Sequence, residues 1–295
     1  MTAPASKPDS SSGPEAPVEV TAWDHAAREA VERIRAASAE ADHHDPLDEA
    51  ARLLLKHRGL AGSRLWLVDD SGFALLHDGA LDLAVAPTAR GCGFGTTLAA
   101  TAAPYTTTAW SHGDHPAAAK LAERHRFTRA RELWVLRRPA SLPLPDAAGR
   151  PDAITVRGFQ PGDEAELLRV NAAAFASHPE QGGMDAANLA DRMAEPWFDP
   201  AGLLVADEDG RMLGFHWTKR ASEQTGEVYV VGVDPAAQGR GLGKLLTLAG
   251  LRYLEAAGVA EVILYVESDN QPGRALYEGL GFTHAAADTH VQYRR

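Results

Sequence analysis

The sequence predicts an α/β protein of two tandem domains, each a mixed twisted sheet flanked by helices. Short apolar runs alternate with longer stretches of helical periodicity along most of the 295 residues, as a layered α/β chain requires. One phrase recurs. Val85-Ala86-Pro87-Thr88-Ala89-Arg90-Gly91-Cys92-Gly93-Phe94-Gly95 aligns with Val233-Asp234-Pro235-Ala236-Ala237-Gln238-Gly239-Arg240-Gly241-Leu242-Gly243, and Val, Pro, the second Ala and all three Gly coincide. Between the copies, Pro139, Pro143, Pro145 and Pro151 gather with Ser141 and Gly149 into an extended linker over 139–152.

Residues 1–20 are rich in Ser, Pro and Ala without apolar periodicity and read as a disordered tail. They lack a basic start followed by an apolar core, so no secretory signal is expected, and no run reaches membrane-spanning length. The first domain, 21–138, opens with helical stretches at 23–39 and 47–57, joined by Asp42-His43-His44-Asp45-Pro46. Strands follow at 64–68, 73–76 and 81–85, then the glycine phrase, a helical run at 98–103, a short strand at 106–110 and a last helix–strand pair in which Phe127 answers Phe282. The second domain, 153–295, repeats the order: a strand at 154–157, helices at 163–175 and 185–193, and a hairpin of 203–206 with 212–217 turning at Asp209-Gly210. A strand at 227–233, the second glycine phrase, a helix at 245–257, a strand at 262–266, a helix at 272–280 and a closing strand complete it.

Bulk properties restrict the partners. A net charge of −11 argues against a nucleic-acid backbone as main ligand, and no membrane partner is expected. A single cysteine, Cys92, excludes an internal disulfide and suits a reducing cytoplasm. A monomer is the expected state.

The stretch from Gln238 to Lys244 lies between an apolar strand and an amphipathic helix, where glycines let the backbone approach an anion and the first helical turn offers amides without internal partners. A diphosphate there also meets the positive end of the helix dipole. Such a cradle binds coenzyme A in one large family and nucleotides in others. The dinucleotide pattern G-x-G-x-x-G does not fit glycines at 239, 241 and 243, and the triphosphate loop fails because Leu245 follows Lys244. The bland alternative is a Gly-rich helix entry with no ligand.

On these residues the second domain resembles the GNAT acetyltransferase family, whose motif is Gln/Arg-x-x-Gly-x-Gly/Ala after a long central strand. Asn270, the helix carrying Tyr277, and Gly281-Phe282 are similar to that family's second signature. Two such domains in tandem, with His178-Pro179-Glu180-Gln181-Gly182 and Gly214-Phe215-His216-Trp217-Thr218-Lys219 in the second, resemble the tandem members that acetylate the cysteinyl amine of a cysteinyl-glucosaminyl-inositol in the last step of mycothiol assembly. The resemblance runs from about Trp23 to the end and is specific in the second half only.

The resemblance implies two tandem GNAT-type domains and acetyl-CoA as co-substrate, with no metal. It implies acceptor contacts at Glu49, Glu180, Lys219, Glu227 and Tyr265. It places acetyl-CoA in the active half at Val231, Gly232 and Val233, along Gln238, Gly239, Arg240, Gly241, Leu242, Gly243 and Lys244, and at Asn270, Gln271, Pro272, Gly273, Arg274 and Ala275. A second, non-productive acetyl-CoA would lie in the first half at Leu83, Ala84 and Val85 and at Gly91, Cys92, Gly93, Phe94, Gly95 and Thr96.

An amine attacks a thioester only when neutral, so a base must take its proton and an acid must serve the leaving thiolate. Glu227, at the start of the central strand, is the expected base, acting through a water, and Tyr277, seven residues past Asn270, the expected acid. A backbone amide among Val231 to Val233 is the expected partner of the thioester carbonyl. Taken alone, Glu227 reads as a solvated strand-end carboxylate and Tyr277 as core; the cofactor motif beside them changes both readings. Subtracting the repeat offsets carries Glu227 to Gly79, Tyr277 to Ala122 and Asn270 to His115. The first copy thus keeps the cradle and loses both proton handlers, so it is expected to perform no transfer.

Other constellations carry less. Asp42-His43-His44-Asp45 and Ser111-His112-Gly113-Asp114-His115 hold metal-ligand residue types but read as polar turns. Trp197-Phe198 reads as core, with an aromatic lid over the acceptor as the alternative. The rival functions are the same transfer to an aminoglycoside or a protein N-terminus, and a non-catalytic acyl-CoA sensor.

Overall fold

Residues 16–146 and 153–295 are described by the computed structural model; the rest of the expected tail and the end of the expected linker lie outside the described residues. Two compact units emerge, one of residues up to Leu133 together with Ala286–Arg295, the other Trp134–Ala285.

In the first unit, β1 (Val18–Val20) is followed by α1 (His25–Asp42), α2 (Glu49–Arg58), the antiparallel strands β2 (Ser63–Val68), β3 (Gly72–His77) and β4 (Ala80–Val85), then α3 (Phe94–Ala102), β5 (Thr108–Ser111), α4 (Pro116–Arg124) and the start of β6 (Thr128–Pro139). β1 corrects the sequence reading, which had put residues 18–20 in the disordered tail. Val18 and Val20 pair with Leu67 and Leu65, and Glu19 accepts two bonds from Arg64 at 2.7 and 2.8 Å. Two β-branched residues around one ion-paired glutamate suffice for a strand that average composition hides. Helices α1 and α2 cap their first turns with Asp24 and Asp48 and bury Val31, Ile34, Ala51 and Leu55 against Leu65, Phe73 and Leu75. Helix α3 covers the opposite face, with Leu98 and Ala102 on Trp66, Ala74 and Leu76.

In the second unit, β7 (Thr155–Gly158) precedes α5 (Glu164–Ala174), the short α6 (Pro179–Gly182) and α7 (Ala186–Met193). The hairpin of β8 (Leu203–Glu208) and β9 (Arg211–Arg220) turns at Asp209 (φ 52°) and Gly210 (φ 81°), the left-handed pair a two-residue hairpin needs. Then come β10 (Thr225–Val233), α8 (Leu242–Ala256), β11 (Glu261–Glu267), α9 (Gln271–Glu278) and β12 (Thr283–Arg294). Leu167, Val170 and Leu189 of α5 and α7 pack with Phe215 and Trp217 on one face; Leu248, Leu251 and Leu254 of α8 pack with Val228, Val262 and Leu264 on the other. Each such fully buried side chain contributes about 1.5–3 kcal/mol toward offsetting chain entropy.

The border between units falls within β6 and within β12. The end of β12 therefore belongs to the first unit, where Val291 and Tyr293 pair with Ser111 and Ala109 of β5. Among the described residues no helix is long and apolar enough to cross a membrane.

Candidate active site

The central strand β10 is paired on both sides only at its start. Thr225 to Val228 run parallel to Glu261 through Leu264 of β11; beyond that, the described ladder continues on the β9 side alone, as far as Val233↔Gly214. The register against β9 slips at Tyr229, a β-bulge that inserts one residue and increases the local twist. Past the bulge, Val231, Gly232 and Val233 present a peptide edge on the β11 side. An extended ligand carrying amides can add to such an edge as an extra strand, and a thioester carbonyl can accept from one of its N–H groups.

At the end of β10 the chain enters the glycine loop. Asp234 accepts from Ala236 N at 2.9 Å, and Arg169 binds Asp234 at 2.7 Å, which anchors the loop's base. Gly239 (φ 78°) and Gly241 (φ 76°) are left-handed, and a side chain at either would meet open space, so backbone conformation rather than room demands glycine. Gly241 is the N-cap of α8 and provides no side-chain cap; the first described bond of the helix is Leu245 N to Gly241 O. The amides of Leu242, Gly243 and Lys244 thus point outward at the positive end of a helix of 15 residues. Gln238, Arg240 and Lys244 are exposed around them, Arg240 bonded to Glu208. A Cβ on Gly243 would lie 3.9 Å from Leu276, so the first turn of α8 neighbours α9.

Helix α9 begins at Asn270, whose Oδ1 accepts from Gly273 N at 3.0 Å; a Cβ at 273 would come within 2.8 Å of that amide. Gln271, Pro272, Gly273, Arg274 and Ala275 form its first turns. Arg274 is held by Ser268 O at 2.8 Å and stacks 4.1 Å above Trp134.

Clamping α8 to the sheet is His216 on β9. Its Nδ1 donates to Leu246 O at 2.8 Å, since a carbonyl only accepts, and its Nε2 is buried without a hydrogen-bond partner among the described residues. Burial holds this imidazole down at about 4, so it is neutral at physiological pH. A Cβ at Gly250 would lie 2.1 Å from the ring, so only glycine lets the helix come this close.

Of the proposed acceptor residues, the structure brings together Lys219 and Glu227. They face each other across β9 and β10, with Nζ 3.9 Å from the carboxylate, and Glu227 is only 8% exposed. It is thus not the solvated strand-end group its sequence position alone suggests. Two residues along, Tyr229 and the half-buried Trp197 bracket the Lys219 ammonium at 5.1 and 5.0 Å from their ring centroids. This aromatic bracket was missed in the sequence, although the i, i+2 spacing of Glu227 and Tyr229 already puts both on one face of β10. Tyr265, 44% exposed, lies one residue beyond the last paired position of β11. Glu49 begins α2 and belongs to the first unit. Glu180 lies on α6, but its side chain is outside the described residues.

Tyr277 is half-buried on α9, its ring edge-on to Phe282 at 5.9 Å. Burial pushes its hydroxyl up to about 12, so it remains a phenol at neutral pH.

The first unit repeats this frame. β4 and β5 run parallel only at Ala80↔Thr108 and Leu81↔Ala109, Gly91 (φ 79°) and Gly93 (φ 93°) are left-handed, and Gly93 caps α3 without a side chain. A cleft of about 570 Å³ opens there, lined by Leu83, Ala84, Val85, Gly91, Gly93, Phe94, Gly95 and Thr96. Cys92 is exposed beside it, its Sγ 3.8 Å from Arg90 O. Ala80 pairs with His77 and Thr108 as Glu227 pairs with Lys219 and Ile263. The counterpart of Glu227 is therefore Ala80, and the Gly79 obtained by subtraction is corrected: the bulge gives β10 one residue that β4 lacks. Ala122 does match Tyr277. Phe127 N donates to Ala122 O at 2.8 Å, as Phe282 N does to Tyr277 O at 3.1 Å.

The Asp42–Asp45 turn is structural. Asp42 takes two bonds from Arg90 at 2.7 Å, and Asp45 pairs with Arg35. Among the described residues no group of three or more His, Cys, Asp or Glu is placed to hold a metal ion.

Comparison with known proteins agrees with this geometry. The Acetyltransferase (GNAT) family matches residues 171–282. The mycothiol acetyltransferase of Nocardioides sp. is 56% identical, covering 92% of this chain and 99% of its own. That of Streptomyces avermitilis is 46% identical, covering 90% and 91%. Among solved structures, a GCN5-related N-acetyltransferase from Sphaerobacter thermophilus superposes with a TM-score of 0.69 at 24% identity over 96% of both chains. A tandem GNAT protein from the clavulanic acid biosynthesis pathway gives 0.67 at 19% identity over 95% of this chain and 97% of its own. These two likenesses concern the fold.

Proposed function

The chain belongs to the mycothiol acetyltransferase family and is an acetyl-CoA-dependent N-acetyltransferase, and we propose that its second unit acetylates the cysteinyl amine of the cysteinyl-glucosaminyl-inositol by direct attack. The observation that carries this reading is the separation of β10 from β11 just after Glu227. One buried carboxylate, one peptide edge and one anion cradle thereby follow one another along a single strand and its helix. The diphosphate of acetyl-CoA rests on the amides of Leu242 to Lys244, and its pantetheine arm lies along Val231 to Val233. Asn270 to Ala275 flank it. Lys219, Glu227 and Tyr265 contact the acceptor.

The amine nitrogen attacks the thioester carbon, the C–S bond breaks, and the nitrogen's proton passes through a water to Glu227. An α-amino group titrates near 7.7–8.0, so a carboxylate relay suffices at neutral pH. A phenol at about 12 holds its proton more tightly than a thiol near 8.5. Tyr277 therefore serves the leaving sulfur by donating a hydrogen bond as charge develops, and the thiol's proton comes in net from the amine.

The division into an N-terminal degenerate domain (21–138), a linker and a C-terminal catalytic domain (153–295) belongs to the same proposal. The first cleft holds acetyl-CoA without turning it over. A net charge of −11 and a single exposed cysteine suit a monomer working in the cytoplasm, without nucleic-acid or membrane partners.

A mass-spectrometric acceptor screen with acetyl-CoA tests the assignment. Acetylation of the cysteinyl-glucosaminyl-inositol at its amine is expected. Transfer only to aminoglycosides or peptides would overturn the acceptor, and no transfer to any amine would favour an acyl-CoA sensor.

A further inference from the structure

Loss of Tyr277's counterpart from the first unit is matched by a gain elsewhere in that unit. In the second unit, α9 offers Tyr277, which packs against the core cluster that holds Leu136, Leu264 and Phe282. In the first unit the equivalent helix α4 offers only Ala122, and the cluster around it consists of Ala122, Phe127, Val291 and Tyr293. Tyr293 comes from the far end of the chain. It pairs with Ala109 at the last parallel position of β5, the point where β4 and β5 part. It is only 7% exposed and lines the first cleft together with Leu81, Leu83 and Phe127. Burial raises its hydroxyl above the usual phenol range, so it is a donor at neutral pH.

A second polar group faces the same cleft. His112 Nδ1 is 3.0 Å from His290 Nδ1, while its Nε2, also buried, has no hydrogen-bond partner among the described residues. The cleft is thus lined by left-handed glycines, apolar side chains, a buried phenol and the His112 imidazole, whose Nε2 is itself sealed from the open space.

We propose that Tyr293 of the C-terminal strand is the thiol-end ligand contact of the first cleft, and that it donates to the sulfur of a coenzyme A thioester as Tyr277 does in the second unit. The inference rests on the reading that the first cleft binds coenzyme A. With Ala80 where the second unit has Glu227, this phenol recognises and retains the thioester and completes no transfer. Occupancy of the cleft then fastens Ala286–Arg295 to the first unit, so cofactor binding and the seating of the chain's last strand are linked.

Calorimetry on the full chain tests this. Gly241→Val removes the left-handed cap of the second cradle, so coenzyme A binding that survives in this variant belongs to the first cleft. Adding Tyr293→Phe, which keeps the ring and its packing, is expected to weaken that binding about 2- to 10-fold, the range for one hydrogen bond to a neutral acceptor. ADP, which carries the diphosphate without the pantetheine arm, is expected to bind both proteins equally. Equal coenzyme A affinity with and without the Tyr293 hydroxyl would overturn this role while leaving the cleft's occupancy intact. Equal weakening of ADP would also overturn it, by showing a general loss of structure. No heat from Gly241→Val alone would overturn the occupancy reading, and this inference with it.

Discussion

Around their glycine loops the two units share a frame and differ by one bulge residue and a few single side chains. Each has a central strand that leaves its parallel neighbour after a short pairing, two left-handed glycines, a helix capped by glycine alone, and a helix-to-strand corner closed by the same phenylalanine amide. At equivalent places the second unit carries Glu227, Lys219 and Tyr277, and the first Ala80, His77 and Ala122. The anion cradle is a property of main-chain conformation and survives most side-chain changes. The proposed chemistry depends on a few functional groups, and one substitution removes each. A duplicated domain of this kind can therefore lose catalysis long before it loses its affinity for the cofactor.

The comparison breaks most sharply at Glu227. Replacing it with Gln is expected to lower kcat by about 10²–10⁴, the range for a positioned general base, with acetyl-CoA affinity preserved in calorimetry. Tyr277→Phe comes next. Loss of a hydrogen bond to a developing thiolate is expected to slow turnover about 10- to 100-fold in steady-state assays, without raising the KM for the acceptor. A smaller effect belongs to the bracket around Lys219. Trp197→Leu removes one of two aromatic faces and is expected to raise the acceptor KM about 2- to 5-fold while kcat holds; Trp197→Phe should recover most of it.

Stability against pH sharpens the contrast further. Between pH 6.5 and about 4 the unfolded chain protonates at His216 while the folded chain does not, so stability falls as the pH falls, by about 1.4 kcal/mol per pH unit, and levels off below. Burial depresses His112 and His290 in the first unit, which adds the same sign, whereas His77, raised by its bond to Asp82, acts oppositely. Thermal melts of His216→Phe should show a pH slope shallower by one proton.

Much of this was legible in the sequence because it rests on local rules. Asp209-Gly210 announces a hairpin, and alternating glycines after an apolar strand announce the cradle. The identical spacing of Gly91, Gly93 and Gly95 announces its copy. What escaped depends on register or on distant pairing. The bulge at Tyr229 moves the counterpart of Glu227 by one residue, and no arithmetic on aligned numbers shows a bulge. Val18–Val20 gain a strand by pairing with Leu65–Leu67 more than 40 residues away, and Tyr293 meets the first cleft only because β12 ends in the first unit. Lys219 and Glu227 are eight positions apart in sequence, yet neighbours because β9 and β10 pair.

The most direct test of the central claim is turnover and binding in one protein carrying Glu227→Gln and Tyr277→Phe. The account predicts that acetylation of the cysteinyl-glucosaminyl-inositol disappears while both clefts still bind acetyl-CoA with little change in affinity. Acetylation continuing at a substantial fraction of the wild-type rate would contradict it, by showing that the chemistry does not reside in these two residues of the second unit.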